Sequence, residues 1–167
     1  MARTADFDDF YAATYRRLVG QVFAMVGDFG EAEDAVQEAY ARAWSRWHRL
    51  RDYADPEAWV RTVAYRVAVS SWRKAANRLT AHLRHGPPAD VPGLSAAGVA
   101  LAQALRDVSP DQRRVVVLHH VVGLTVEEIA HETGTAVGTV KSRLARGRQA
   151  LAASLGDQDE PIPRSGR

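Results

Sequence analysis

The sequence predicts an all-α protein built from two small helical domains that a flexible linker joins. Alanine, leucine, arginine and glutamate are frequent in almost every segment, and apolar residues recur at the three- and four-residue spacing of an amphipathic helix. No alternating strand pattern of useful length occurs. A segment rich in proline and glycine at residues 80–97 interrupts the helical pattern, and leaves a part on each side that is large enough for a small core.

The composition narrows the class of protein. The chain has no cysteine, which excludes a disulfide framework and any thiolate metal site. The first ten residues contain three aspartates and no apolar run, so no signal peptide is predicted. No segment approaches the length of a membrane span. We therefore expect a cytoplasmic protein with no membrane insertion.

Two helices are predicted at the start of the N-terminal domain, which we place at residues 5–79. The first covers residues 7–26 and is bracketed at its end by Gly27 and Gly30. Its expected inward side chains are Phe7, Phe10, Tyr11, Leu18 and Val22. The second is expected as one helix over residues 31–50, with a buried stripe and an acidic stripe. The buried stripe is Ala32, Ala35, Val36, Ala39 and Ala43, and the acidic stripe is Glu31, Asp34 and Glu38.

A third helix is predicted from Pro56 to about residue 79. Asp55 is the expected N-cap, and Pro56 suits the first helical position. The expected buried stripe is Val60, Val63, Ala64 and Val67, and the polar stripe is Arg66, Ser70, Arg73 and Asn77. Residues 61–85 contain arginines and a lysine but no carboxylate. This stripe is therefore suited to a phosphate backbone.

The C-terminal domain, placed at residues 98–155, has the pattern of a helix-turn-helix. A weak helix over 99–108 comes first, and a capping box of Ser109 and Gln112 with Pro110 between them starts the next. A second capping box, Thr125 with Glu128, starts a short helix that ends at Gly134. A longer helix over 136–155 follows, with Val140, Leu144, Gly147 and Leu151 inward. Residues 156–167 are expected to be a disordered tail.

The outer face of that last helix carries the side chains expected to bind DNA. Residues spaced i, i+3, i+4 and i+7 lie opposite the apolar stripe, and they are Thr139, Ser142, Arg143 and Arg146. Thr135 and Lys141 flank this face as expected backbone contacts. Arginine forks onto guanine, and hydroxyl groups reach phosphates or bases. Residues 134–155 contain no carboxylate, which is consistent with a polyanionic partner.

These motifs resemble a known family. The segment LTVEEIAHETGTAVGTVKSRLARGRQAL, residues 124–151, resembles the fourth conserved region of extracytoplasmic-function (ECF) sigma factors of the sigma-70 family, which reads the promoter -35 element. The segment EAEDAVQEAYARAW, residues 31–44, resembles their second conserved region. That region binds the clamp helices of the largest subunit of RNA polymerase core. The resemblance assigns this role to Asp34, Gln37 and Glu38.

The resemblance also implies a site for the melted -10 element. The segment DPEAWVRTVAYRVAVSSWRK, residues 55–74, is similar to the segment that melts and reads it, and residues 45–55 with Trp47 would then form a loop that holds an extruded base. The further -10 residues implied are Arg61, Tyr65, Arg66, Trp72, Arg73 and Lys74. Arg66 and Ser70 stand where relatives commonly carry Asn and Asp, so the base preference at -10 is left open.

A sigma factor is thus expected, with no catalytic residues, metal or cofactor of its own. Its expected partners are core polymerase, including the clamp helices and the flap, promoter DNA and an anti-sigma factor; when active it would associate with the nucleoid. The alternative is a free-standing helix-turn-helix regulator, which does not explain the acidic helix. An enzyme has little support, because no phosphate loop, thiol nucleophile or recognisable carboxylate pair occurs. His131 lacks a helical metal-binding partner, since Thr135 follows four residues later.

Overall fold

The computed structural model describes residues 2–78, 101 and 103–156, with the side chains of residues 6–71, 101 and 103–156. Every regular element in these residues is helical, which confirms the all-α prediction. The helices are α1 (Ala2–Val26), α2 (Phe29–Ser45), α3 (Trp47–Leu50), α4 (Pro56–Arg78), α5 (Pro110–His120), α6 (Val126–Thr133) and α7 (Val137–Gly156), with a 3₁₀ turn at Leu105–Asp107. The predicted linker, residues 80–97, and residues 157–167 of the predicted tail lie outside the described residues.

In the N-terminal domain, α1 and α4 both pack on α2. The predicted stripe of small side chains on α2 is buried as expected: Ala32, Ala35, Val36, Ala39 and Ala43. Such side chains let neighbouring helices approach closely. Asp55 accepts a hydrogen bond from the Ala58 N–H at 2.9 Å, so the predicted N-cap of α4 is confirmed. The buried stripe of α2 and the start of α4 therefore both follow from local sequence.

Three details of the predicted N-terminal helices are wrong. The second helix does not run to Leu50, because Arg46 leaves the helical conformation with φ -117° and ψ 10°. This break lets Trp47 pack against Phe7 and Phe10, at ring distances of 5.2 and 5.0 Å. Gly30 lies inside α2, since Asp28 caps that helix by accepting the Glu31 N–H. Tyr11 is on the outer edge and not inward.

The C-terminal domain is the predicted helix-turn-helix. Thr125 and Glu128 form the expected reciprocal capping box, and Gly134 adopts φ 65°, the left-handed conformation that ends α6. The other predicted capping box is wrong, because Ser109 makes no side-chain capping bond. Pro110 is nevertheless at the first helical turn of α5, where its fixed φ favours helix initiation.

The last helix, α7, packs closely on α5. Val140, Leu144 and Gly147 are buried as predicted, and Leu151 is half-buried. A Cβ atom at Gly147 would stand 2.6 Å from Cγ2 of Val116 and 3.3 Å from the Gln112 carbonyl oxygen. The absence of a side chain at this position therefore sets how near the two helices lie.

The two domains contact each other through α1 with α5 and through α4 with α6. We call this contact the interdomain interface and define it by the residues that make its polar contacts: Gly27, Arg61 and Tyr65 from the N-terminal domain, and Arg106, Arg113, Arg114 and Glu132 from the C-terminal domain. The exact boundaries of the two domains stay a prediction.

Candidate nucleic-acid interface

The outer face of α7 presents polar and basic side chains to solvent. Thr139, Lys141, Ser142 and Arg146 are exposed, whereas Val140 and Leu144 on the opposite face are buried. The Ser142 hydroxyl donates to the Thr139 carbonyl at 3.0 Å. Thr135 is half-buried just before α7, and its N–H donates to the Ala130 carbonyl at 3.0 Å. A helix with this division of faces is suited to a DNA major groove.

Arg143 is the member of this face that already has a carboxylate partner. Its Nη2 lies 2.7 Å from Oδ2 of Asp111, at the start of α5, and the two side chains are 31% and 65% exposed. The pair is therefore close to solvent, and water weakens such pairs. Asp111 therefore competes with any other acceptor for Nη2 of Arg143.

The acidic residues of α2 form a second exposed surface. Asp34, Gln37 and Glu38 are all exposed. Glu38 pairs with Arg42 at 2.8 Å along the helix, and the Gln37 amide donates to the Tyr15 hydroxyl at 3.4 Å. The structure thus brings the three residues predicted to bind polymerase onto one accessible face.

Aromatic side chains border this acidic face, and sequence reasoning missed them. Tyr11 is 38% and Trp44 is 39% exposed. Tyr11 stacks on Tyr15 at 4.9 Å and meets Tyr40 edge-on at 4.8 Å, while Trp44 packs on Phe7 at 5.0 Å. Burial, and then Tyr15 and Glu33, raise the pKa of Tyr11. We call Tyr11, Tyr15 and Trp44 the aromatic ridge; the i, i+4 spacing of Phe7, Tyr11 and Tyr15 was the available signal.

The residues predicted to contact the -10 element are divided by the structure. Arg66 and Ser70 are exposed on α4, as the predicted polar stripe requires. Arg61 and Tyr65 are only 2% and 9% exposed, because the C-terminal domain covers them. The side chains of Trp72, Arg73 and Lys74 lie outside those described.

Trp47 does not stand in an open loop. It begins the short helix α3, it is 3% exposed, and its Nε1 has no hydrogen-bond partner within the described part of the chain. Beside it lies a cavity of about 480 Å³, lined by Asp6, Asp9, Phe10, Trp47, Arg51 and Asp52. The predicted base-holding segment therefore borders an open cavity with charged walls and the indole ring of Trp47, whose N–H is itself buried.

The histidines of α5 take part in local hydrogen bonds. Nδ1 of His119 lies 2.8 Å from the Leu124 carbonyl oxygen, and Arg148 donates to Nε2 of His120 at 3.0 Å. Burial, and then the nearby Arg148 charge, lower the pKa of His120. Within residues 2–78, 101 and 103–156, no group of three or more His, Asp or Glu residues is placed to hold a metal ion. The helices of the same residues include none long and apolar enough to cross a membrane.

Comparison with known proteins decides the family. The family model for Sigma-70 region 2 matches residues 10–78, and that for Sigma-70, region 4 matches residues 98–151. The RNA polymerase sigma-E factor of Streptomyces coelicolor is 30% identical over 95% of this chain and 91% of its own length. The ECF RNA polymerase sigma factor SigL of Mycobacterium tuberculosis is 31% identical over 89% of this chain and 86% of its own. The chain belongs to the ECF sigma factors. This sigma factor binds RNA polymerase core and directs promoter-specific initiation of transcription.

Solved structures of the family share the fold of this sigma factor. RpoE of Bartonella quintana, in complex with the anti-sigma factor NepR, is 25% identical and has a TM-score of 0.74 over 93% of this chain and 99% of that one. SigJ of Mycobacterium tuberculosis is 26% identical, with a TM-score of 0.61 over 86% of this chain and 52% of that one. The first match covers both domains of this sigma factor.

Proposed function

We propose that the outer face of α7 reads the -35 element in the major groove. The observation that carries this proposal is the exposure of Thr139, Ser142 and Arg146 on one face while the capping box and Gly134 hold the preceding helix in place. Arg143 would leave Asp111 and fork onto a guanine. Thr135 and Lys141 would contact the phosphate backbone and fix the register of the helix.

The acidic face of α2 is proposed to dock on the clamp helices of the largest polymerase subunit. Asp34 and Glu38 would meet basic side chains, and Gln37 would donate or accept hydrogen bonds. The aromatic ridge extends this surface, because exposed tyrosine and tryptophan rings supply apolar contact area beside the charges. The C-terminal domain would bind the flap.

The third surface is proposed to capture the melted -10 strand. Arg66 and Ser70 face solvent on α4, where a strand can lie along them, and Arg73, Lys74 and Trp72 follow at the same end of the chain segment. The cavity beside Trp47 would receive one extruded base, which would lie against the indole ring. Arg61 and Tyr65 would join this site only after the domains separate.

A factor of this kind needs no catalytic residue, because the polymerase does the chemistry. We infer a cytoplasmic location, with nucleoid association when the factor is active. We also infer control by an anti-sigma factor, by analogy with RpoE of Bartonella quintana in its complex with NepR. Such a partner would cover the α2 and α7 faces.

Run-off transcription tests these assignments. Purified core polymerase is given a library of promoter fragments with and without this sigma factor, and start sites that appear only with it define both DNA elements. Duplex binding without polymerase, together with no new transcripts, would instead favour a free-standing regulator. The assay on the mapped promoter also provides the DNA for the variants below.

Removing the acidic charges tests the docking surface. We expect Asp34→Ala with Glu38→Ala to weaken core binding by about tenfold or more, because charge pairs at an interface steer association. The control is Asp52→Ala with Glu127→Ala, which removes the same charge from exposed positions outside α2. Equal core affinity of the two double variants in a pull-down titration would remove α2 from the docking surface.

A further inference from the structure

The interdomain interface contains a buried ion pair between the two domains. Arg61 of α4 bonds Glu132 of α6 through both Nε and Nη2, at 3.1 and 2.7 Å. The two side chains are only 3% and 8% exposed, and the amide oxygen of Gln21 lies a further 3.5 Å from Nη1 of Arg61. A two-pronged, desolvated pair of this kind fixes both the partner and the orientation.

Three arginines of the C-terminal domain complete the interface. Arg106 donates two hydrogen bonds to the Gly27 carbonyl, at 3.1 and 2.6 Å. Arg114 lies over the Tyr65 ring, 4.1 Å from its centroid. Nη1 of Arg113 stands only 2.9 Å from where a Gly27 Cβ would be. Gly27, with φ 81°, therefore serves the interface twice: it offers an open carbonyl and leaves room for a guanidinium group.

The interface covers one functional surface and leaves another open. Arg61 and Tyr65, proposed to contact the -10 strand, are buried by it, whereas Asp34, Gln37 and Glu38 stay exposed. We infer that the interdomain interface is an autoinhibitory contact, in which Glu132 holds Arg61 away from promoter DNA until the N-terminal domain has docked on core polymerase. The inference rests on the proposed function for its assignment of Arg61 and Tyr65 to the -10 strand.

Other features of the interdomain interface oppose its closed state. Nε of Arg113 and Nε of Arg114 are buried with no hydrogen-bond partner among the described residues, and unsatisfied buried donors oppose closure. Burial lowers the pKa of both arginines, because desolvation disfavours their charged form. Unsatisfied donors and desolvated charges both weaken the closed state, and a polar interface of this kind is typical of domains that move relative to each other. Phosphates and polymerase can therefore compete for its arginines.

Matched charge removal tests the contact. Glu132→Gln removes the negative charge that pairs with Arg61, and one of its two acceptor oxygens. Glu127→Gln makes the same change at an exposed position of the same helix. Because the chain has no cysteine, Ala13→Cys and Ala152→Cys, both at exposed positions, carry the only dye pair for single-molecule energy transfer in the full chain. We expect a closed population in the parent and in E127Q, and a larger, lower-transfer open population in E132Q. This distance readout needs neither DNA nor polymerase.

A second readout connects opening with DNA binding. In the absence of polymerase and at fixed salt, we expect E132Q to bind a single-stranded oligonucleotide of the mapped -10 element at least fivefold more tightly than E127Q, because affinity scales with the competent fraction. Core affinity should agree within about twofold, since the α2 face is open in both. The double exchange Arg61→Glu with Glu132→Arg should restore the closed population that either single exchange loses, because opposite charges again face each other across the interface.

Two outcomes would overturn the inference. An unchanged open population in E132Q would mean that the ion pair does not hold the domains together. More opening without tighter oligonucleotide binding would mean that closure does not restrict DNA binding. Failure of run-off transcription would count against the proposed function alone, because the distance measurement would still report whether the domains close.

Discussion

Replacing Arg143 with alanine tests the proposed contact between α7 and a base of the -35 element. The guanidinium is held at the edge of the exposed face by Asp111, 2.7 Å away. We expect Arg143→Ala to lower promoter selection at -35 while core binding stays unchanged. Arg148→Ala is the matched control, because Arg148 is also exposed on α7 but bonds His120 on another face.

The size of the effect follows from two opposing contacts. A bidentate arginine contributes about 1–3 kcal/mol of discrimination against a wrong base, or about 5- to 150-fold. The exposed pair with Asp111 that must be given up contributes about 0.2–1 kcal/mol, so DNA is the stronger partner. By the same reasoning, Asp111→Asn should tighten -35 binding by no more than about fivefold. Loss of the ion pair should lower the free energy of unfolding of Arg143→Ala by at most about 1 kcal/mol.

The assay is competition in run-off transcription between the mapped promoter and copies with single -35 substitutions. Arg143→Ala should flatten the preference at one position of the element and leave the salt dependence nearly unchanged. Lys141→Ala, a proposed phosphate contact, should weaken all promoters alike and reduce the salt slope by about one. If Arg143→Ala keeps the full preference at every position, or loses core binding, the faces of α7 are misassigned.

Two further predictions concern the packing and the pH dependence of stability. Gly147→Ala should lower the free energy of unfolding by about 0–2 kcal/mol, because overpacking of its Cβ against Val116 at 2.6 Å exceeds the gain in helix propensity. Gly138→Ala, whose Cβ would have nothing within 4 Å, should raise the free energy of unfolding by about 0.5–1 kcal/mol. Urea unfolding that gave both variants equal stability would contradict this. Burial raises the pKa of Tyr40 to about 12. The contribution of its protonated hydroxyl to the free energy of unfolding is therefore complete below pH 10 and is lost as pH rises towards 12. Between pH 9 and pH 11 the parent should therefore lose about 1 kcal/mol more than Tyr40→Phe in urea unfolding, and equal losses would show that Tyr40 titrates normally.

Local signals made most of the fold predictable. The alanine stripe of α2, the N-cap at Asp55 and the capping box at Thr125 each depend on residues within one or two turns, and each is present as expected. Ser109 is the exception, since the residue type is right but its side chain does not cap the helix. Composition at a cap gives a preference, and the side-chain rotamer decides whether the bond forms.

Contacts between distant residues account for what the sequence did not predict. The break at Arg46 lets Trp47 join an aromatic cluster with Phe7 and Phe10. Trp47 is about forty residues away from both in the sequence, and no helical periodicity relates residues of different helices. In the sequence, Arg61 is one of several cations in a basic helix, and nothing local indicates a partner. Only the tertiary structure places Glu132 beside it. The exposed face of α7 was predictable because helical periodicity alone defines it.

The burial of Trp47 has an optical consequence. Its indole lies in an apolar aromatic cluster at 3% exposure, whereas that of Trp44 is 39% exposed, so the two should emit at different wavelengths. If an extruded base enters the neighbouring cavity and lies against the indole ring, the emission of Trp47 should change at that step. Trp47 would then give the protein an internal fluorescent signal for promoter melting, and the event could be followed in real time without a label on the DNA.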